Sequence, residues 1–157
     1  MSISIRTAKK KDANLIEHIL KTAFSDYHLL VEVEEPAKAT MESAEDIILS
    51  MESNQVFVAM YNHLKCVGTI RLRMMDENTG YISRFAVLPH WQQSGAGRQL
   101  LLTAEEWFRK RGASFVMLQT AMSMTPLVNY YISSGFRLAS VSDEKGYQRG
   151  KFVKPLV

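Results

Sequence analysis

The chain has a single cysteine, Cys66, and so can form no internal disulfide. A lone thiol fits a reducing compartment. Its place in a β-like run reads as a small buried apolar residue and not as a nucleophile. No apolar run is long enough to cross a bilayer, and the opening Met-Ser-Ile-Ser-Ile-Arg is not a secretory leader. A cytoplasmic protein with no membrane partner is therefore expected. Repeats, low-complexity tracts and linkers are lacking, and 157 residues suit one domain, 1–157, around one core. An excess of one charge is lacking too: 19 basic residues stand against 16 acidic ones, a net charge of +3. The basic residues are scattered, and their one run, Lys9-Lys10-Lys11, reads as a solvated turn. With no basic-aromatic stripe, no nucleic-acid partner is expected. No metal site is expected either.

What the chain does have is clear periodicity. Ile3, Ile5 and Thr7 alternate with Ser4 and Arg6 as a first strand. Asp12 is placed to cap or charge-stabilise the helix that follows. Ala13, Ile16, Ile19, Leu20, Ala23 and Phe24 recur at helical spacing. Residues 25–40 have no period and carry Tyr27, His28, Glu32, Glu34, Glu35 and Pro36, which fits either a variable surface loop or a ligand-binding segment. Ser43-x-x-Asp46 ahead of Ile47-Ile48-Leu49 resembles a capping box. Residues 55–61 and 65–75 form a hairpin around Asn62-His63. In its second run Cys66, Gly68, Ile70, Leu72 and Met74 share one face, with Thr69, Arg71 and Arg73 on the other. Residues 81–87 add a fourth strand and complete an antiparallel meander.

Residues 98–111 are strongly helical, with Leu100, Leu101, Ala104, Trp107 and Phe108 on one stripe and Lys110-Arg111-Gly112 as the stop. A fifth strand at 115–120 makes a strand–helix–strand unit, so strands four and five run parallel with a right-handed crossover. Thr125 caps and Pro126 opens a last helix, which stops at Gly135. Residues 137–142 and 148–154 close as a hairpin. The outcome is an α/β fold whose mixed, mainly antiparallel sheet has about seven strands, flanked by about four helices.

Between the fourth strand and the long helix lies Val-Leu-Pro-His-Trp-Gln-Gln-Ser-Gly-Ala-Gly-Arg, residues 87–98. Pro89 ends the strand by removing a ladder donor. Gly95 and Gly97 let the backbone turn and approach a ligand closely. The helix start then offers unpaired N–H groups and a positive dipole end, the equipment for an anion such as a pyrophosphate. No acid appears in the opening of this helix before Glu105, so no carboxylate competes for that place. A third glycine three residues on is missing, which removes the dinucleotide fingerprint. No Gly-Lys-Ser/Thr follows, which removes the nucleoside-triphosphate loop.

What remains is Gln92-x-x-Gly95-x-Gly97, preceded by Val87-x-Pro89 and followed by Leu100-Leu101. It resembles the coenzyme A pyrophosphate loop of the GNAT family of N-acetyltransferases. Ile3-x-Ile5-Arg6-x-Ala8 followed by Asp12, and Tyr131-Ile-Ser-Ser-Gly135-Phe136, are similar to the same family. Taken alone, Gly135-Phe136 is explained as a helix stop and Tyr131 as a core residue. The order and spacing of these motifs extend the resemblance over nearly the whole chain.

The resemblance implies a GNAT-type acyl-coenzyme A N-acyltransferase fold that uses acetyl-CoA as co-substrate, in a V-shaped gap between strands four and five. It implies that the pantetheine arm pairs with backbone at Phe85, Ala86 and Val87. The pyrophosphate would rest on the loop of Gln92, Gln93, Ser94, Gly95, Ala96, Gly97 and Arg98. A small-molecule or peptide amine would attack the thioester directly, a fourth-strand amide would stabilise the carbonyl oxygen, and Tyr131 would protonate the thiolate. The chain would act as a monomer or homodimer. One family feature is missing. Where many members place a glutamate as base, this chain has Ser83, Arg84 and Gln119, and Met124 replaces the usual Asn. The base is left to a water chain, to an acid of residues 25–40, to Asp76 or Glu77, or to an amine arriving neutral. Arg84 would bind an acidic group of the acceptor or stand solvated. His90 reads as exposed, and Trp91, Trp107 and Phe108 read as core. The missing base also keeps a second reading, a non-catalytic acyl-CoA-binding or sensing module.

Overall fold

The computed structural model describes residues 2–25 and 38–156, so most of the 25–40 segment, with Glu32, Glu34 and Glu35, lies outside the described residues. Seven strands form one mixed sheet: β1 (Ile3–Thr7), β2 (Gln55–Tyr61), β3 (Lys65–Met74), β4 (Thr79–Val87), β5 (Phe115–Ala121), β6 (Arg137–Ser142) and β7 (Arg149–Pro155). Their order is β1-β2-β3-β4-β5-β7-β6, and only β4 and β5 run parallel. Among the described residues five helices flank the sheet: α1 (Ala13–Phe24), α2 (Lys38–Met41), α3 (Ala44–Ser50), α4 (Ala96–Lys110) and α5 (Thr125–Ser133). The single turn of α2 is the one that periodicity did not reveal.

Two apolar layers hold the sheet. On one face Ile16, Ile19 and Leu20 of α1 and Ile47 of α3 pack against Val56, Val58 and Met60. On the other, Leu100, Leu101, Ala104 and Phe108 of α4 pack against Ile70, Leu72, Ile82 and Val116. Each of these side chains other than Ala104, when fully buried, contributes about 1.5–3 kcal/mol. The closeness of α4 to β4 depends on Gly80, because a β-carbon there would lie 2.3 Å from Phe108 Cδ1. Ser43 caps α3 as its sequence predicts: Ser43 Oγ accepts from Asp46 N at 3.1 Å, and Asp46 Oδ2 accepts from Ser43 N at 3.0 Å. The Asn62-His63 hairpin turn has φ of 52° and 62°, the left-handed pair that matches strand twist.

The structure corrects three local expectations. Asp12 makes no cap bond to α1. Its buried carboxylate instead accepts from Lys9 N at 2.7 Å and from Arg6 Nη1 and Nη2 at 2.8 and 2.9 Å, and the Arg6 hydrogen bonds hold it below its usual range. Thr125 is the first residue inside α5, with Met124 in the cap position, because Pro126 takes the second helical place and needs no N–H partner there. Cys66 does not share a face with Gly68, Ile70 and Leu72. The β2–β3 register shifts between Ala59 and Met60, which turns Cys66 toward α1 while Val67, Ile70 and Leu72 face α4. There Cys66 is buried, and burial pushes its thiol up to about 11, too high to serve as a nucleophile at neutral pH.

Candidate active site

The parallel pairing of β4 and β5 covers only Thr79–Phe115, Gly80–Val116 and Tyr81–Met117. Beyond Tyr81 the two strands part, although β4 continues to Val87 and β5 to Ala121. The cause lies in β4. Its register with β3 jumps from Arg71–Ser83 to Thr69–Ala86, so Arg84 and Phe85 together oppose Ile70. This is a β-bulge, and Arg84 stands in it at φ 49°, a left-handed conformation that costs a non-glycine residue about 1–2 kcal/mol. A bulged strand bends, and here the bend leaves the β5-side edge of β4 without ladder partners from the bulge to Val87. β5 remains fixed on its other side by β7, from Phe115–Pro155 to Ala121–Arg149.

The glycine loop closes one end of this gap. A tight turn at 89–91 follows β4, and Gln92 Nε2 donates to Val87 O at 3.4 Å, tying the loop to the strand end. Ser94 Oγ donates to Trp91 O at 2.6 Å and accepts from Ala96 N at 3.3 Å. These two side chains therefore build the turn. Gly95, at φ 91°, occupies the cap position of α4, and a side chain there would meet no described atom within 4 Å, so its requirement is conformational. α4 starts at Ala96, earlier than periodicity predicts, which places Gly97 inside its first turn. No hydrogen bond among the described residues reaches the N–H of Gly97 or Arg98, and the first turn holds no acid. A β-carbon on Gly97 would lie 3.3 Å from the Tyr130 hydroxyl, 3.5 Å from Phe85 Cζ and 3.7 Å from Val87 Cγ2. Of the predicted residues, Phe85, Val87 and Gly97 thus converge. Gln92, Gln93, Ser94, Gly95 and Arg98 are exposed, and Ala86 is buried toward α1.

α5 brings two tyrosines across the gap. Tyr131 is 5% exposed, with its ring 6.3 Å from Phe85, 5.8 Å from Phe136 and 6.4 Å from Phe152. The helix stop helps to fix it: Phe136 N donates to Tyr131 O at 3.0 Å, and Gly135 takes φ 97°. Tyr130, which sequence reading passed over, lies 6.3 Å from Phe85 with its hydroxyl at the first turn of α4. Burial pushes the Tyr130 phenol up, opposed by Ser134 and by the charge of Arg98. Its signal was available. Adjacent helix residues lie about 100° apart, so two consecutive tyrosines can both border one cleft.

Of the acids named as bases, those of residues 26–37 lie outside the described residues, and Asp76 does not stand ready at the site. Asp76 sits where β4 and β5 are still paired, and its Oδ1 accepts from Asn78 N and Thr79 N, each at 2.8 Å. Those backbone bonds hold its carboxyl below the usual range. Sequence reading missed Glu42, between α2 and α3. Arg71 Nη1 and Nη2 each donate to it at 3.0 Å, and Arg84 Nε donates at 3.1 Å. Burial alone would raise the Glu42 carboxyl, but the two arginines outweigh it and keep the group ionised and spent. Arg84 is therefore neither solvated nor free of partners. Removing Glu42 would strand a buried Arg71 and cost about 3–5 kcal/mol. His90 is exposed, as expected. Phe108 is buried and Trp107 half-buried, while Trp91 packs on Tyr61 at 4.6 Å. Among the described residues no group of His, Cys, Asp and Glu could hold a metal ion, and no helix is long and apolar enough to cross a membrane.

Known proteins are similar to this chain in sequence or in fold. An uncharacterized N-acetyltransferase of Bacillus subtilis is 26% identical over 140 residues, which are 85% of this chain and 89% of that one. The crystal structure of the PaiA N-acetyltransferase from Thermoplasma acidophilum, in complex with coenzyme A, superposes with a TM-score of 0.82 over 99% of each chain at 17% identity. A GNAT acetyltransferase from Elizabethkingia anophelis with acetyl-CoA bound gives 0.70 over 98% of each chain at 20% identity. The profile of the Acetyltransferase (GNAT) family matches residues 14–136, a span that runs from α1 through the bulged β4, the glycine loop and α5 to the helix stop. With more than half its length inside that profile, and with a strand gap opening onto an acid-free helix start, this chain belongs to the GNAT family of acetyltransferases.

Proposed function

We propose that this chain, as one catalytic domain over residues 1–157, transfers acetyl from acetyl-CoA to an amine, with Tyr131 as general acid. Family membership makes it an acetyl-CoA-dependent N-acetyltransferase. The observation that carries the assignment of parts is the gap itself: an unpaired β4 edge ends at a helix start with unpaired N–H groups. The chain fits the co-substrate there. The N–H groups of Gly97 and Arg98, with the loop from Gln92 onward, suit a pyrophosphate, because they carry partial positive charge and no carboxylate competes. The free edge at Phe85, Ala86 and Val87 suits an extended amide-bearing arm, which pairs as an added strand would. Tyr130, at Gly97, borders the same place.

When bound, acetyl-CoA supplies an acyl group activated as a thioester. The acceptor nitrogen attacks the carbonyl carbon, forming the C–N bond as the C–S bond breaks. A backbone N–H of bulged β4 donates to the oxygen as it gains charge. Tyr131 gives its proton to the departing sulfur; a phenol of pKa about 10 carries that proton at neutral pH without tuning. The proton on the nitrogen passes to water, to an acid of residues 25–40 or to Glu77, since Glu42 and Asp76 are committed elsewhere. We place the reaction in the cytoplasm, where a lone thiol stays reduced.

The competing reading is a module that binds acyl-CoA without turning it over. Release of coenzyme A thiol in the presence of an amine panel separates the two. Amine-dependent release, with acetylated product by mass, is expected. Binding of acetyl-CoA with no product from any amine would favour the module.

A further inference from the structure

We infer that Glu42 is a positioning residue for the reaction: its carboxylate clamps Arg71 of β3 to Arg84 of β4 and so holds the β4 bulge in the shape that faces Tyr131. This rests on the acetyl-transfer reading above and adds to it a residue from outside the sheet. Glu42 lies between α2 and α3. Its Oε2 accepts from Arg71 Nη1 at 3.0 Å. Its Oε1 accepts twice, from Arg71 Nη2 at 3.0 Å and from Arg84 Nε at 3.1 Å. Arg71 follows Ile70, the residue that Arg84 and Phe85 together oppose, so the clamp grips both strands at the bulge. The side chains of Arg71, Glu42 and Arg84 are only 9%, 18% and 27% exposed, which limits screening by salt.

Two guanidinium groups side by side repel, and the carboxylate between them turns that repulsion into attraction. Without it Arg71 and Arg84 would move apart, and the bulge would lose its hold. Arg84 also stands at φ 49°, a region that glycine enters freely and arginine does not. Such strain persists where the surroundings over-determine it, and the Nε bond to Glu42 contributes to that here. The chain keeps a strained arginine where a glycine would relax, and it engages the side chain. The place matters for the chemistry. The bulge bends β4 away from β5, and the next residue, Phe85, has its ring 6.3 Å from Tyr131. A small turn of Arg84 carries Phe85 and the neighbouring backbone N–H groups with it. A misplacement of about 1 Å at such a point costs about a hundredfold in rate.

The test is a double-mutant cycle of Glu42→Gln and Arg84→Gly, read as the single-turnover rate of acetyl transfer at saturating acetyl-CoA and acceptor. Glutamine keeps the size of Glu42 and one acceptor oxygen. Glycine accepts φ 49°, so Arg84→Gly relieves the strain and should fold. Each single variant should slow the step about ten- to a hundredfold. The double variant should be no slower than Arg84→Gly alone, because Glu42 acts through Arg84. Should Glu42→Gln fail to fold, the cycle is run in an Arg71→Met background, where no buried charge is stranded. A wild-type rate in Arg84→Gly would overturn the inference. So would losses that multiply in the double variant, which would reduce Glu42 to a structural partner of Arg71. A change in acceptor KM alone would also overturn it, by giving Arg84 to the acceptor. If no amine is acetylated, the proposed function fails, and NMR of the free protein decides the clamp. The amide signals of Arg84 and Phe85 should shift or broaden in Glu42→Gln while those of α4 stay in place; unmoved Arg84 and Phe85 signals would overturn the inference.

Discussion

Tyr131→Phe should give a folded protein that binds acetyl-CoA and transfers acetyl about 10²–10⁴-fold more slowly, the usual contribution of a general acid. The change keeps the ring between Phe85, Phe136 and Phe152, so the packing of α5 on the sheet is retained. Only the hydroxyl goes, and the worth of one hydrogen bond sets the loss of stability at about 1 kcal/mol. The comparison belongs in single-turnover mode at saturating co-substrate, where product release does not mask the chemical step. A wild-type rate would make Tyr131 a packing residue. A loss below about tenfold would mean that water protonates the thiolate, which leaves readily because thiols have a pKa of about 8.5. Tyr130→Phe is the informative neighbour. Its hydroxyl faces Gly97, so its loss should raise KM for acetyl-CoA before it touches kcat.

The second large effect is expected at Gly97. Gly97→Val should weaken acetyl-CoA binding about ten- to a hundredfold, as expected for one blocked hydrogen bond to a charged group. A β-carbon there meets the Tyr130 hydroxyl at 3.3 Å, which must give by a few tenths of an ångström, and Phe85 at an ordinary 3.5 Å, and valine's methyls then occupy the approach to the helix start. Unfolding by heat or urea should change by about 1 kcal/mol or less. Gly95→Val is a poorer probe, because φ 91° charges any side chain about 1–2 kcal/mol in the native state. Unchanged affinity in a folded Gly97→Val protein would reduce both glycines to turn formers.

The parts of this account that sequence carried are those written in neighbouring residues. The apolar stripe of α1, the Ser43–Asp46 box and the Asn62-His63 turn each depend on spacing within a few positions, and each forms as its spacing predicts. What sequence did not carry is set by strand pairing. The shift at Ala59 and Met60 that turns Cys66 toward α1, and the bulge that twists Arg84, arise from how strands align and leave no local period. Glu42 meets Arg71 and Arg84 across 29 and 42 residues. Asp12 failed as a cap for a related reason: Arg6, half-exposed on β1, offered it two charged donors where α1 offered a backbone N–H.

The central claim is that coenzyme A binds this fold at the start of α4. The most direct measurement is a thermal melt of the wild type and of Gly97→Val with coenzyme A or acetyl-CoA. A ligand that binds only the native state adds RT ln(1 + [L]/Kd), about 2.7 kcal/mol at one hundred times Kd. The account predicts a clear, concentration-dependent rise in Tm for the wild type and a rise shifted to much higher concentration for Gly97→Val. A wild-type melt unmoved by millimolar coenzyme A and acetyl-CoA would contradict it.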